Sequence, residues 1–541
     1  MKLKRLLCLV IVAVLLVACG GGGAPSTTGG TTSSGGTASS GGTASSGSSN
    51  AEAPAERIRV SMNVMDAEKA GNNAKVEWYQ ENLGIEFEYI PVNWGDWGEK
   101  VATWIATQDT PDLIWWDLKG AQSNQYRTWA RQGAFQAIPV DKFLAKPDLG
   151  KITQKMIDDG AIEVMTVDGE LYCFPAYRNN PPESQNAYDS FFAYRADWAK
   201  AVGLHKEDNI YTFDEWVALC KAVIEQDPGG NGPGNTAALV MPPWGFPHAA
   251  VLFIGQVPAV GNETAAYMPG PDGKYIWPPS TPEYREDVKT TWQLYQDGII
   301  WKDNIMFNGS EDQDMWQAGT SFTAYNALWT VENMMRDGII TSLSDVQPAI
   351  VQDKNGKIWL TQTENYWTVT AFSPSVDEAK MDRIIEFWDF LNSEKGILMK
   401  WLGLEGKDYE LNSDGSVNVL WEMNDGVYIN PYREDRFPEF TPSSLAPPGN
   451  PGETTFQLDT RRFVWNAMAN NNSQMKLFDY QVSFLSGQNK DRFGDFGMDV
   501  KAKLIELIVS STDIESDWDA FIESMMPRVQ PVLDEINDAL T

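Results

Sequence analysis

Histidine is almost missing from this chain, with only His205 and His248 among 541 residues. Neither lies near a serine or cysteine elbow of the kind nucleophilic hydrolases use. No HExxH pair, P-loop or GxGxxG turn occurs, so the familiar motifs of zinc hydrolysis and nucleotide binding are absent. Cysteine is scarce too, at four. Cys8 and Cys19 fall in the N-terminal segment, which leaves Cys173 and Cys220. These two can form one disulfide in an oxidising compartment. Cys220, however, shares an apolar stripe with Trp216, Leu219 and Val223, which favours a buried free thiol. Basic residues are few: 42 Lys and Arg against 74 Asp and Glu, a net charge of −32. Phosphate contacts need clustered Lys and Arg, so nucleic acid is not an expected partner. Loose adsorption to anionic lipid is disfavoured for the same reason. The acidic excess reads as solubility for a secreted protein. Beyond the N-terminus, no apolar run is long enough to span a bilayer.

The N-terminus has its own pattern. Lys2, Lys4 and Arg5 precede an apolar run from Leu6 to Ala18, which predicts a signal peptide over 1–18. Gly20 to Ser49 contains only Gly, Ala, Pro, Ser and Thr. Such a tract cannot bury a core and reads as a flexible tether, with a mean reach of roughly 30 Å. At this length the rest of the chain has room for two or three domains.

The stretch from Ile85 to Asp117 organises that remainder. Ile85 to Val92 alternates apolar and polar, with aromatic and β-branched residues, and predicts a strand. Trp97, Val101, Trp104 and Ile105 recur at helical spacing. Thr110-Pro111-Asp112 breaks that helix, and Leu113 to Trp116 fits a buried parallel strand. The whole is a βαβ unit. Ligands of such sheets gather beyond the carboxyl ends of the strands. Trp94 lies just past the first strand and Asp117 just past the second. An indole face beside a carboxylate suits a sugar ring, whose C–H face stacks while its hydroxyls hydrogen-bond.

Further elements follow from local signals. Arg57 to Val64 predicts the first strand, and Ala74 to Asn82 a helix stopped by Gly84. Thr212-Phe-Asp-Glu215 is a capping box opening the Trp216 helix. Met381, Ile384, Ile385, Trp388 and Leu391 share one face of a core helix. Asp517 to the end predicts a pair of acidic amphipathic helices. Pro243-Trp244-Gly245-Phe246 is an aromatic loop and a candidate stacking site. The 22 tryptophans exceed what core packing alone suggests, and point to a stacking surface. Among 74 acidic residues some pair can lie close enough for glycoside hydrolysis. Such an enzyme would show two buried carboxylates with shifted pKa values across a cleft. No internal repeat is visible.

The order of these phrases along the chain resembles the extracellular solute-binding proteins of ABC importers, especially the large lipoproteins and alginate-binding proteins among the oligosaccharide binders. Leu16-Val17-Ala18-Cys19 resembles a bacterial lipobox, which implies a lipidated Cys19. Gly169-Glu170-Leu171-Tyr172-Cys173-Phe174-Pro175 resembles the stretch where relatives begin to cross to a second lobe. Phe192-Ala193-Tyr194-Arg195-Ala196-Asp197-Trp198 resembles the phrase after it. Phe322-Thr-Ala-Tyr325-Asn326-Ala-Leu-Trp329 resembles the strand that delivers a sugar-stacking Trp in maltodextrin binders. Tyr366-Trp367-Thr-Val-Thr-Ala resembles the strand that returns to the first lobe. Leu402-Gly-Leu-Glu405-Gly406-Lys-Asp-Tyr409 matches a phrase of the large lipoproteins. Phe463-Val464-Trp465 resembles a helix whose Trp lines the cleft.

The resemblance implies an α/β fold of the two-lobe periplasmic-binding-protein type, each lobe a mainly parallel sheet flanked by helices, joined by a hinge. It implies a linker with lipidated cysteine over 19–55. Lobe 1 then covers 56–175 and 363–430, and lobe 2 covers 176–362 and 431–541. A ligand site between the lobes would use Trp94, Asp117, Tyr177, Arg178, Trp244, Asn326, Trp329, Trp367 and Trp465. Tyr177 and Arg178 would face the cleft from the crossover loop, with Arg178 forking onto a uronate carboxylate or a hydroxyl pair. Relatives carry a calcium loop of the Asp-x-Asp-x-Asn-Gly kind after the Trp216 helix. Here Asp227, Asn231 and Gly232 remain, but Gly229 and Ala238 replace two ligands, so at most weak calcium binding or a plain turn is expected. No other cofactor is implied. The expected partners are an oligosaccharide, permease subunits and, through the anchor, the bacterial cell membrane. The chain itself is expected to be a monomer. A secreted glycoside hydrolase or a polysaccharide-binding surface protein is the alternative.

Overall fold

The structure is a computed structural model. It describes residues 56–540 except 63–66, 94–95, 117–121, 178–191, 244, 247–266, 326–329, 362–365, 425–426, 433–441, most of 443–486, and 495. In Glu56–Met62 (β1) the alternation buries Ile58, Val60 and Met62. Ile85–Pro91 (β2) buries Ile85, Phe87 and Tyr89 in the same way. The two strands pair in parallel, from Glu56 opposite Ile85 to Met62 opposite Pro91. The helix Ala74–Leu83 joins them. Asn73 caps its start by accepting from the backbone N–H of Lys75 and Val76. Gly84 ends it at φ 61°, donating to the Gln80 carbonyl. After the helix Trp97–Thr107, Leu113–Trp116 (β3) is buried on both faces and pairs in parallel with β1.

Cys173–Tyr177 (β4) and Phe192–Arg195 (β5) flank the first passage of the chain between sheets. Ile210–Tyr211 (β6), Thr323–Tyr325 (β7) and Val346–Val351 (β8) complete the second sheet. Tyr366–Phe372 (β9) returns to the first. The first sheet has the order β2-β1-β3-β9-β4 and the second β7-β5-β8-β6. Both are more mixed than the expected mainly parallel sheets. β9 runs antiparallel to β3 and β4, and β5 runs antiparallel to β7 and β8. β5 and β9 each arrive from the other sheet, so they enter at the edge toward which the neighbouring strands run. Pro175 fits in β4 because β4 is the last strand of its sheet.

Ile58 to Tyr177 and Tyr366 to Met399 share one core. A second core draws on Phe192 to Val351. A third joins Tyr267 to Val288 with Val482 to Ile536. Its largest piece is one 27-residue helix, Ile514–Leu540, which continues through Pro527 and Pro531. That replaces the terminal helix pair expected over the same residues. Burial of Trp518, Met525, Val529, Val532 and Ile536 along one stripe outweighs the two missing backbone donors. Between the first and third cores, the nearly buried Arg127 donates to Asp491 at 3.1 Å. Among the described residues no helix is long and apolar enough to cross a membrane. Cys173 and Cys220 are both buried free thiols, and burial raises each thiol pKa, that of Cys173 to about 12.

The phrase Leu402 to Tyr409 is a packing turn. Gly403 takes φ 107°, and a Cβ there would lie 2.3 Å from the Tyr432 ring and 2.4 Å from Asp408. Asp408 accepts from the Leu404 N–H at 2.7 Å and the Tyr432 hydroxyl at 2.5 Å. Beneath this turn lie two buried lysines. Lys75 Nζ donates to the Lys400 carbonyl at 3.0 Å and stands 4.6 Å over the Tyr432 ring. Burial, with the Lys75 ammonium nearby, pulls Lys400 down to about 7. The unfolded chain keeps the ordinary value near ~10.4. Between these values the unfolded state binds more protons, so this group makes stability rise with pH. Thermal unfolding of wild type and Lys400→Met from pH 7 to 10 checks this: the wild type should gain on the variant as pH rises. A pH-independent difference would mean that Lys400 stays charged when folded.

Candidate functional site

β1, β2 and β3 end at one edge of the first sheet. β4 ends there as well, and β9 starts there, because β9 is antiparallel to both β3 and β4. In the second sheet β6, β7 and β8 end at the edge where β5 begins. The chain passes from the end of β4 to the start of β5, and from the end of β8 to the start of β9. Both passages therefore join the same two edges. Ligands of open α/β sheets collect at such edges.

Asp117 directly follows β3, Arg178 follows β4, and Asn326 and Trp329 follow β7. Trp94 follows β2 by three residues. These five residues, with Trp244, Trp465 and Cys19, lie outside the described residues. Trp367 is the second residue of β9, near the edge that β4 and β3 reach. Tyr177 needs correcting. It is the last residue of β4 rather than part of a loop, and it is buried in the first core. Its hydroxyl donates to Asp159, and its N–H to the Pro442 carbonyl at 3.1 Å. A tyrosine that ends a strand against a sheet face is drawn inward by its ring, which a reading of the crossover as loop could not show.

The described flanks of the candidate loops are pinned by polar contacts. Beside Trp94, the Asn93 N–H donates to Asp96 Oδ1 at 3.1 Å, and the Asp96 N–H returns to Asn93 Oδ1 at 3.0 Å. Lys100 Nζ meets Asp96 at 2.9 Å and the Pro91 carbonyl at 3.2 Å. Partial burial works against the charged Asp96 carboxylate, but the bonds from Lys100 and Asn93 outweigh it and lower the pKa. Behind this loop Trp97 stacks on Trp115 with ring centroids 4.5 Å apart, and its indole N–H donates to the Trp115 carbonyl. On either side of Trp244, the Gly245 and Phe246 N–H groups donate to the Pro242 carbonyl, and Phe246 is buried. Asn304 accepts from the Met241 N–H at 2.9 Å and donates to its carbonyl at 2.8 Å. Lys501 Nζ donates to the Pro243 carbonyl at 3.0 Å. Burial lowers the Lys501 pKa. Sequence reasoning missed Asn304 and Lys501. They lie 63 and 258 residues from their partners, and no periodicity or motif marks them.

Tryptophan use is largely structural. Trp97, Trp115, Trp116, Trp198, Trp216, Trp277, Trp316, Trp388, Trp421 and Trp518 are buried. Trp78, Trp104, Trp129, Trp292, Trp301 and Trp401 are half-buried. Of the 22, this leaves Trp94, Trp244, Trp329, Trp359, Trp367 and Trp465, whose side chains lie outside the description.

Around Asp227 the donor set does not fit a cation. Asp227 ends the helix Phe213–Gln226 at φ 46°. The Thr236 hydroxyl and the Gly232 N–H hold its carboxyl below the usual range. Asn231 uses its amide as a donor, to Thr236 Oγ1 at 3.1 Å and the Gly319 carbonyl at 3.3 Å. Among the described residues no group of three His, Cys, Asp or Glu is placed to hold a metal ion.

With this geometry in place, comparison with known proteins is informative. The family of bacterial extracellular solute-binding proteins matches residues 74–397. The chain belongs to that family. Lipoprotein LipO of Bacillus subtilis is 25% identical over 279 residues, covering 49% of this chain and 52% of LipO. The fructooligosaccharide ABC transporter substrate-binding protein FusA of Streptococcus pneumoniae is 27% identical over 232 residues, covering 41% of this chain and 40% of FusA. These matches thus span about half the length of the curated relatives. Among solved structures, an EF-hand mutant of S. pneumoniae FusA in complex with fructo-nystose superposes with a TM-score of 0.65 at 17% identity, over 90% of this chain and 98% of that one. The alginate-binding protein AlgQ2 without calcium ion gives 0.65 at 15% identity, over 89% and 97%. The fold is therefore that of these two-lobe solute-binding proteins. FusA is named as a substrate-binding protein, AlgQ2 as an alginate-binding protein and LipO as a lipoprotein.

One test concerns the clamp of Asn304 on Met241, at the start of the 241–246 segment. Asn304→Ala removes two buried hydrogen bonds and leaves a backbone donor and acceptor unpaired. It should cost about 2 kcal/mol or more in urea unfolding. A loss below about 0.5 kcal/mol, the scale of a surface substitution, would mean that the turn does not depend on Asn304.

Proposed function

We propose that this protein is the lipid-anchored solute-capture component of an ABC importer, and that it binds an oligosaccharide between two lobes. The observation that carries the reading is the meeting of both inter-sheet passages with the strand ends that lead to Trp94, Asp117, Arg178, Asn326 and Trp329. Family membership and the sugar-binding names of several relatives support it. Trp94, Trp244, Trp329, Trp367 and Trp465 stack sugar rings in this reading, while Asp117, Arg178 and Asn326 bond hydroxyls. Lobe 1 comprises 56–175 and 363–430; lobe 2 comprises 176–362 and 431–541. Ligand selects the closed arrangement by hinge motion about the passages, and the closed form is presented to permease subunits. Cys19 carries the lipid, and the tract to residue 55 spaces the lobes from the membrane.

The competing reading is glycoside hydrolysis, which needs a pair of carboxylates with matched but opposite roles. Asp312, in the first turn of the helix Glu311–Gln317, has its pKa raised to about 6 by burial. Its carboxylate neighbours, Glu311 and Asp314, add to that rise and stand in the same helical turn rather than across a cleft.

Intrinsic tryptophan fluorescence during titration with fructooligosaccharides, pectic fragments, alginate oligomers and N-glycans tests the capture reading. A saturable change with at least one glycan is expected. Trp329→Ala should weaken that binding by about 1 kcal/mol or more, roughly fivefold or greater. Unchanged affinity in a folded variant would remove Trp329 from the site. Silence across the panel, with no thermal shift, would remove the sugar.

A further inference from the structure

The loop after the helix Phe213–Gln226 resembles a calcium loop in sequence but is built on another principle. Asp227 Oδ1 accepts from the Asn231 N–H at 3.1 Å and from the Thr236 hydroxyl at 2.5 Å. Oδ2 accepts from the Gly232 N–H at 2.7 Å. Three donors thus point their protons at the carboxylate from within the loop. They take three of the roughly four lone-pair sites of the carboxylate, which leaves little of its acceptor capacity for a cation.

Two further positions are closed to metal ligands by packing. At Gly229, an added Cβ would lie 2.4 Å from Cζ2 of the buried Trp198 and 2.8 Å from Asn231 Nδ2. An aspartate there requires Trp198 to move. Ala238, where a bidentate Glu would stand, is 1% exposed, and its carbonyl accepts the Thr323 hydroxyl at 2.9 Å. It belongs to the wall of the second core.

The loop nevertheless does the mechanical work of a cross-link. Asn231 Nδ2 reaches the Gly319 carbonyl, the Ala237 N–H donates to Thr320, and the Phe322 N–H donates to Ala237. Ala237 and Ser321 form a parallel bridge. Residues 231–238 therefore fasten the end of the helix to 319–323, the segment that enters β7. β7 in turn leads to 326–329.

We propose that the 227–238 loop is a metal-free staple, in which the Asp227–Thr236–Asn231 hydrogen-bond knot seats the entry to β7 in place of a bound calcium ion. Asp227, Thr236 and Asn231 are positioning residues, and the folded chain has no calcium requirement. The inference stands apart from the identity of the solute, so it can fail while the sugar reading holds, and the reverse.

The test uses the full chain, with calcium chloride alone as the probe. Calorimetric titration should give no saturable heat up to millimolar calcium, and thermal unfolding should coincide in EDTA and in calcium. A bound ion at a hundred times its Kd would raise Tm by about 2–3 °C in a chain of this size. Saturable binding that raises Tm, and that Asp227→Asn abolishes, overturns the proposal. Thr236→Val should lower Tm equally with and without calcium, while Thr236→Ser keeps the hydroxyl and should restore it. A Thr236→Val protein as stable as wild type overturns the staple. So does a Thr236→Val protein rescued by calcium.

Discussion

β9 hydrogen-bonds β3 on one side and β4 on the other, and both ladders are antiparallel. That pairing constrains everything else. A strand delivered by a helical crossover runs toward the edge where its loop emerges. A strand delivered from another sheet starts at that edge and runs away from it. β9 and β5 are of the second kind, so the ends of β1 to β4 and of β6 to β8 gather where the chain changes sheets. A ligand touching several of those loops touches both cores at once. Under the proposed capture, binding and lobe movement would need no dedicated relay, because the loops that contact the ligand adjoin the passages between the sheets.

Local order around those loops comes from polar clamps. Asn93, Asp96 and Lys100 brace one turn; Asn304 and Lys501 brace another; Asp227, Asn231 and Thr236 brace the entry to β7. Each clamp satisfies backbone groups that a tight turn would otherwise leave exposed or unpaired. Fixing the flanks in advance lowers the ordering cost that a ligand must meet, so more of its contact energy appears as affinity.

Much of the fold was legible in the chain. The Ile85–Asp117 unit, the Gly84 stop, the Thr212–Glu215 capping box and the Met381–Leu391 stripe all follow from short-range rules, and all stand in the structure. Direction within the sheets was less legible, because β5 and β9 read as ordinary apolar strands whichever way they run. Tyr177 was misplaced because the resemblance put the crossover loop directly after Pro175, yet the strand continues through that proline at the sheet margin. The terminal segment was expected as two helices, but a stripe of buried residues carries one helix across Pro527 and Pro531. The lysine pair under the 402–409 turn left no signal, since Lys75 and Lys400 are 325 residues apart. For the candidate site, the strands leading to it were legible, and the clamps that hold it were not.

Tryptophan shows why composition could not separate core from site. An indole buried in a core and an indole facing a sugar do the same thing: each offers a broad apolar face and one N–H that needs an acceptor. Trp97 finds the Trp115 carbonyl, Trp115 the Thr368 hydroxyl, Trp316 the Thr330 hydroxyl, and Trp421 the Leu402 carbonyl. Residue type is identical for both uses, so a high count alone does not say how many indoles face a ligand. Position carries the distinction. Trp97, Trp115 and Trp316 lie inside helices or strands, and each points its ring toward a second element. Trp94 comes three residues after β2 ends and Trp329 four residues after β7 ends. Applied to the sequence with strand ends in hand, that criterion retains these two, sets Trp97 and Trp115 aside, and leaves Trp367, on the strand that begins at the same edge, as the case decided by which face of β9 it occupies.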